Sequence, residues 1–170
     1  MQKIIKDNHI IEDQWNLIRL TDEGMLPSFG PDEDVIVPLA CWLDAPERWK
    51  NRTGKTGIWL SPSDEPEQLA PFLKECPVIA VDFPGFTDGR GYSLARLLRE
   101  RYSYDGEIRA VGELWEDVIQ ALWRVGFNAF EVRQGKSIES CLKVLSISAE
   151  RYQSDFRQPV PLFQRYIDRC

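Results

Sequence analysis

The chain has 170 residues, 43% apolar and 28% charged, with a formal net charge of −6. That length supports one full hydrophobic core, and the acidic balance argues against a general nucleic-acid binder and against attachment to an anionic membrane. No apolar run approaches the ~20 residues that span a bilayer, and the charges scattered through "MQKIIKDNHIIEDQW" leave no apolar core for a signal peptide, so a cytoplasmic protein is expected.

The first twenty residues read as a β-hairpin, with "KIIK" and "HIIED" flanking the turn pair Asp7-Asn8 and "WNLIRL" as a third short strand. "TDEGMLPSFGPDED" (21–34) reads as an acidic loop. "VIVPLACWL" is open between a buried strand and a short helix starting at Pro38, and Pro46 either stops that helix or begins a new one. From Gly57 the pattern is regular. Strands are predicted at "GIWLS" (57–61), "PVIAVDF" (77–83), "EIRAV" (107–111) and "NAFEV" (128–132). Helices are predicted at 65–75, 92–102, 114–126 and 137–152, with Gly126 as a C-terminal stop and Ser137 as an N-cap. The inner face of 137–152 is expected at Ile138, Leu142, Leu145, Ala149 and Tyr152.

This alternation predicts an α/β protein: a parallel sheet of about four βα units, either open and doubly wound or half of a (β/α) barrel, with an N-terminal β-hairpin. The whole of 1–170 is expected as one domain, comprising hairpin 1–20, acidic loop 21–34, βα core 35–152 and C-terminal tail 153–170. The helix at 114–126 carries one apolar stripe at Leu114, Val118, Leu122 and Val125 and another at Trp115, Ile119 and Trp123. A helix apolar on two faces is covered on both, by a neighbouring element or by a second subunit in a homodimer.

The four cysteines, Cys41, Cys76, Cys141 and Cys170, are widely spaced, and His9 is the one histidine. No metal-ligand spacing results, so free, mostly buried thiols and no metal site are expected.

The chemistry concentrates in "FTDGRGYS" (86–93). In parallel α/β folds, ligands collect beyond the carboxyl ends of the strands, and this stretch follows "VIAVDF". Gly89 and Gly91 offer positive φ and close backbone approach. The next helix brings free N–H groups and its positive dipole end. Arg90 is suited to a carboxylate, phosphate, sulfite or sulfate, and Ser93 can cap or donate. Thr87, Asp88, Gly89, Arg90, Gly91, Tyr92 and Ser93 therefore form a candidate oxyanion site. The structural alternative is a turn shaped by Asp88, with Arg90 paired to Asp88 or Asp82.

Arg109, inside a predicted strand, is expensive unless paired or functional, and it could pair with Asp82 across neighbouring strands. Asp82, Glu113 and Glu131 fall at strand ends and are candidate acid/base groups. "GRGYSL" has Leu94 where a dinucleotide fingerprint needs its third glycine, and there is no Walker A sequence, so no cofactor is evident. A Ser/His/Asp triad would depend on His9, in the hairpin.

"AVDFPGFTDGRGYSLARLLRERYSYDGEIRAVGE", followed by "ALWRVGFNAFEV", resembles a family of small bacterial proteins of unassigned function. Their genes commonly sit beside that of the sulfite reductase haemoprotein, and members are often labelled oxidoreductases of sulfite reduction. The resemblance is densest over residues 77–133. It extends more loosely to "VIVPLACWL", "GIWLSPSDEPE" and "SAERYQ". It implies a cytoplasmic role in assimilatory sulfur metabolism and association with sulfite reductase or its electron donor. It assigns no catalytic residue. Two readings follow. One is an accessory protein or oxidoreductase of sulfite reduction with an oxyanion-binding loop, its aromatic tail "RYQSDFRQPVPLFQRYIDRC" docking on a partner or on its own domain. The alternative is a phosphate- or carboxylate-binding α/β protein or non-redox enzyme.

Overall fold

Asp7 and Asn8 both take positive φ, 47° and 63°. Two successive left-handed residues make the type I′ turn whose twist matches a two-stranded ribbon, and Asp and Asn tolerate that geometry best after glycine. The turn joins β1 (Lys3–Lys6) to β2 (His9–Glu12), with Lys6 opposite His9. The structure is a computed structural model; it describes residues 2–85, 89–133, 135–146, 154–161 and 164–165.

The stretch from Val35 resolves the strand-or-helix question as both. β4 (Val35–Pro38) ends at Pro38, α1 (Leu39–Asp44) starts beside it, and α2 (Pro46–Lys50) begins with Pro46 in its first turn. There the missing proline N–H leaves no hydrogen bond unmade. β5 (Thr56–Leu60) and β6 (Val78–Phe83) follow. The helix predicted at 65–75 is corrected to a 3-10 turn at Pro66–Leu69 followed by further turns. Pro71 explains this: it lacks the N–H an α-helix needs, and its ring would strike the carbonyl of Glu67. The chain continues with α3 (Arg90–Glu100), β7 (Glu107–Gly112), α4 (Glu116–Arg124), β8 (Ala129–Phe130) and α5 (Ile138–Ser146). Ser137 caps α5 as expected, its Oγ accepting from Ser140 N at 3.1 Å. Gly126, at φ 118°, lies just beyond α4. Ala149 and Tyr152 lie outside the described residues.

The eight strands form one sheet in the order β2-β1-β8-β7-β6-β5-β4-β3, where β3 is Asn16–Leu17. β3 through β8 are parallel, while β1 is antiparallel to both β2 and β8. The sheet is therefore mixed, which corrects the expectation of a parallel sheet of four βα units. β3 does not extend the hairpin but runs beside β4 on the opposite edge.

This order dictates the shape. Eight strands laid flat would span about 34 Å at ~4.8 Å spacing. Yet β2 and β3, at opposite edges, are joined only by Asp13, Gln14 and Trp15, a link that reaches at most about 14 Å. The sheet must curl, and it forms a half-barrel with the link as its chord.

The two faces differ accordingly. The main apolar cluster packs alternate strand residues, including Ile5, Val37, Ile58, Val81 and Ile108, against residues of all five α-helices described. The other face carries a small cluster, Ile36, Val78, Ala80 and Val111, against which Trp15, Leu17 and Trp59 pack. Since Trp15 belongs to the chord, this second face is the concave one. Gly57 lets β5 and β6 lie close there: a Cβ on it would meet Val78 O at 2.9 Å and Val78 Cβ at 3.1 Å on the neighbouring strand.

Candidate functional site at the C-terminal rim of the sheet

Alternation along β6 and β7 sets Ala80, Asp82, Arg109 and Val111 on the concave face, but at different heights. Arg109 lies opposite Ala80, and Asp82 lies opposite Val111. The cross-strand Asp82–Arg109 pair expected from the sequence does not form. Arg109 Nη1 donates to both Asp13 carboxylate oxygens, at 3.0 and 2.8 Å, and its Nε donates to Glu107 Oε1 at 2.8 Å. Lys6 Nζ lies 2.7 Å from Glu107 Oε2. Arg109 is 1% exposed. The chord supplies Asp13 exactly opposite a strand interior, so the buried cation is neutralised by carboxylates from a distant segment and its own strand. Such a cluster holds the chord to the sheet floor.

Asp82, higher on the same face, accepts from Arg19 Nη2 at 2.9 Å. The Arg19 guanidinium stands 5.6 Å from the Trp59 ring centre, and Trp59 Nε1 donates to Ile18 O at 2.8 Å. One further step along the β7–β8 register sets Glu131 in the row of Asp82 and Val111. Glu113, just past β7, is ion-paired with Arg133. Lys136 Nζ lies 4.1 Å from the Trp115 ring centre. Asp82 and Glu113 are thus each ion-paired with an arginine.

α3 begins on the same rim. Gly89 is its N-cap, Arg90 its first residue, and no acid lies in its first turn. A helix start usually carries carboxylates, because its unpaired N–H groups and dipole favour negative charge. The two glycines act differently from expectation. Gly89 has φ −80°, and Gly91, inside the helix, is not among the positive-φ glycines. A Cβ on Gly91 would meet the Phe83 ring at 2.5 Å, so Gly91 lets α3 close onto β6. At Gly85 and Gly89 an added Cβ would meet nothing within 4 Å, leaving open space beside the backbone on both sides of the 86–88 stretch. Arg90 and Ser93 are exposed. Tyr92 is half-buried, its ring edge-on to Phe83 at 5.8 Å, and burial followed by the Asp117 charge raises its phenol pKa. Thr87 and Asp88 lie outside the described residues.

The rim thus gathers Asp82, Glu113, Glu131 and the start of α3, and leaves Arg109 below on the floor. A second buried arginine was missed. Arg99 on α3 donates from Nε to Gly126 O at 2.9 Å, from Nη1 to Tyr104 O at 2.5 Å and Gly106 O at 2.9 Å, and from Nη2 to Asn128 Oδ1 at 3.3 Å. Burial, then the nearby Arg157 charge, lowers its pKa. The available signal was spacing: Arg99 falls four residues after Ala95 and eight after Gly91, on the buried side of the helix.

Neighbours within the chain cover the second stripe of α4. α5 packs on the helix, Lys136 stands over Trp115, and Arg157 lies 4.8 Å from the Trp123 ring centre. Arg157 also donates to Phe127 O at 2.9 Å, and Arg124 pairs with Asp155 at 2.9 Å, so residues 154–161 of the tail pack on their own chain. Among the described residues, no group of three or more His, Cys, Asp or Glu could hold a metal ion, and no helix is long and apolar enough to cross a membrane.

Fold and rim define a class: an α/β protein with a curled, mixed half-barrel sheet and ion-paired acids around one mouth. Within it, the chain belongs to the DUF934 family of bacterial proteins of unknown function, whose model matches residues 57–163. No curated protein matches the sequence. Membership by itself establishes no link to sulfite reductase.

Proposed function

We propose that this protein binds a small oxyanion at the C-terminal rim of its half-barrel and serves assimilatory sulfite reduction as an accessory protein, with sulfite as the first candidate guest. The observation that carries the anion reading is the start of α3: a glycine cap, an arginine in the first position and no acid in the first turn. A helix start favours an anion, and an arginine there can offer it charge-assisted hydrogen bonds. The open space beside Gly85 and Gly89 supports it, because a guest can approach the backbone there. The sulfur assignment rests on the resemblance of the "FTDGRGYS" and "GEIRAVG" blocks to the family encoded beside sulfite reductase.

Thermal unfolding with sulfite, sulfate, phosphate and acetate tests the site. Ligand at about 100 times its dissociation constant adds about 2.7 kcal/mol, a rise of several degrees for a domain of this size. The rise is expected in the wild type and lost in Arg90→Ala. No rise in either protein, or an equal rise in both, refutes the site. For the pathway, a strain lacking the protein is expected to require cysteine, a need met by sulfide but not by sulfite. Normal growth on sulfate as sole sulfur source would refute that half.

A further inference from the structure

A cleft opens at the end of the sheet away from the rim, beside the N-terminal ends of β7 and β8. It measures about 410 Å3 and is lined by Asp7, Arg99, Ser103, Asp105, Phe156 and Arg157, among others. That volume is in the range of small-molecule sites.

Four of these side chains are charged, two of each sign. Opposite charges attract, yet none of the four forms an ion pair with any described residue. Other bonds hold them apart. Arg99 is fixed by the carbonyls of Tyr104, Gly106 and Gly126. Arg157 Nη2 donates to Phe127 O at 2.9 Å and its Nε to Trp123 O at 3.3 Å, while its Nη1 has no partner among the described residues. Asp7 sits in the hairpin turn, its N donating to Asn128 O at 2.9 Å and its Oδ1 accepting from Asn128 Nδ2 at 3.2 Å. Asp105 stands between two residues whose carbonyls Arg99 binds, and Tyr104 is anchored further by its hydroxyl, which donates to Cys76 O at 3.0 Å. Ser103, at φ 51°, completes this bent loop. Charges fixed in place in this way lose little freedom when a guest arrives.

The groups a guest would touch are open. Asp7, Ser103, Asp105 and Arg157 are exposed, and the Phe156 ring is 38% exposed. Arg99 is 9% exposed and acts through its field. The Arg99 and Arg157 guanidinium groups stand 5.9 and 5.8 Å from the Phe156 ring centre, and the Arg157 charge lowers the Arg99 pKa. An anionic group beside Arg157 relieves that repulsion, and a cationic group beside the two carboxylates relieves theirs. Two charges of each sign sum to zero, so a simple anion or a simple cation satisfies only half of the cleft.

We propose that this cleft binds a free α-amino acid with an apolar side chain. Arg157 takes the carboxylate, Asp105 and Asp7 take the ammonium, and the side chain lies on the Phe156 ring.

The test is calorimetric titration of the whole protein with L-leucine. 4-Methylpentanoate, which lacks the ammonium, and 3-methylbutylamine, which lacks the carboxylate, are the controls. Saturable binding is expected with leucine, and binding at least about tenfold weaker with either control, the loss of one charge-assisted contact. Asp105→Asn, at an exposed position with no bond to break, is expected to weaken leucine binding about tenfold. Arg157→Gln is expected to weaken it at least as much. Arg90→Ala, at the other end of the sheet, is expected to leave it unchanged. The proposal is overturned by no saturable response up to about 10 mM, by equal binding of either control, by unchanged affinity in Asp105→Asn or Arg157→Gln, or by loss of binding in Arg90→Ala.

Discussion

The floor and the rim of the half-barrel use the same residue types for opposite ends. On the floor, Arg109 is buried and bonded to two carboxylates, and Arg99, on the outer face, is bonded to three carbonyls and an amide. On the rim, Arg19 pairs with Asp82 and Arg133 with Glu113, each arginine side chain half-exposed. A buried arginine whose donors are satisfied by fixed protein groups is architecture. An exposed one in a surface ion pair adds little to the fold.

That contrast is broken or sharpened by substitution, from the largest expected effect downward. Arg109→Ala leaves the buried Asp13 carboxylate without its cation and Glu107 with Lys6 alone, and should cost about 3–5 kcal/mol, measured by urea unfolding. A loss below about 1 kcal/mol would erase the distinction between floor and rim. Arg99→Ala strands three backbone carbonyls, those of Tyr104, Gly106 and Gly126, and should cost about 2–4 kcal/mol, with amide exchange accelerating first around Gly106 and Gly126.

Alkali probes the buried proton donors. Burial, above all, pushes the Cys76 thiol up to about 12 and raises the Tyr104 phenol still further. The unfolded chain releases these protons at lower pH than the folded one, so it binds fewer protons as pH rises and stability falls. The fall should begin near pH 9, and Cys76 alone contributes about 1.4 kcal/mol per pH unit. Cys76→Ala should flatten the slope between pH 9 and 11. An unchanged slope would remove Cys76 from this account.

Gly91→Ala drives a methyl into the Phe83 ring and should cost about 1–3 kcal/mol, whereas Gly89→Ala, at φ −80° and beside open space, should change stability by less than about 1 kcal/mol. Arg19→Ala, at an exposed ion pair, should cost under about 1 kcal/mol, and salt should weaken the pair further. If Arg19→Ala proved as costly as Arg109→Ala, the rim would be as structural as the floor.

Local features were legible in the chain. The Asp7-Asn8 turn, the Ser137 cap and the alternation of strands β5–β8 all follow from near-neighbour chemistry, whereas the stretch from Val35 was open between strand and helix and holds both. What depended on distance was not. Nothing in "WNLIRL" says that its strand sits on the far edge of the sheet, because edge position is decided by pairing with β4. Nothing near Arg109 names Asp13, 96 residues away. The 65–75 helix failed for a readable reason, Pro71, whose missing N–H and ring break an α-helix.

The three-residue chord has a consequence for how the molecule comes together. β1, near the start of the chain, takes its place only beside β8, whose Phe130 lies opposite Ile5. During synthesis the first hairpin must therefore wait, unpartnered on one side, while six further strands, β3 to β8, emerge. Contacts of such long sequence separation are slow to form. Ring closure is thus expected as the last folding event, with a fluorescence change at Trp15 trailing one at Trp123 in single-tryptophan variants, and simultaneous changes would deny it.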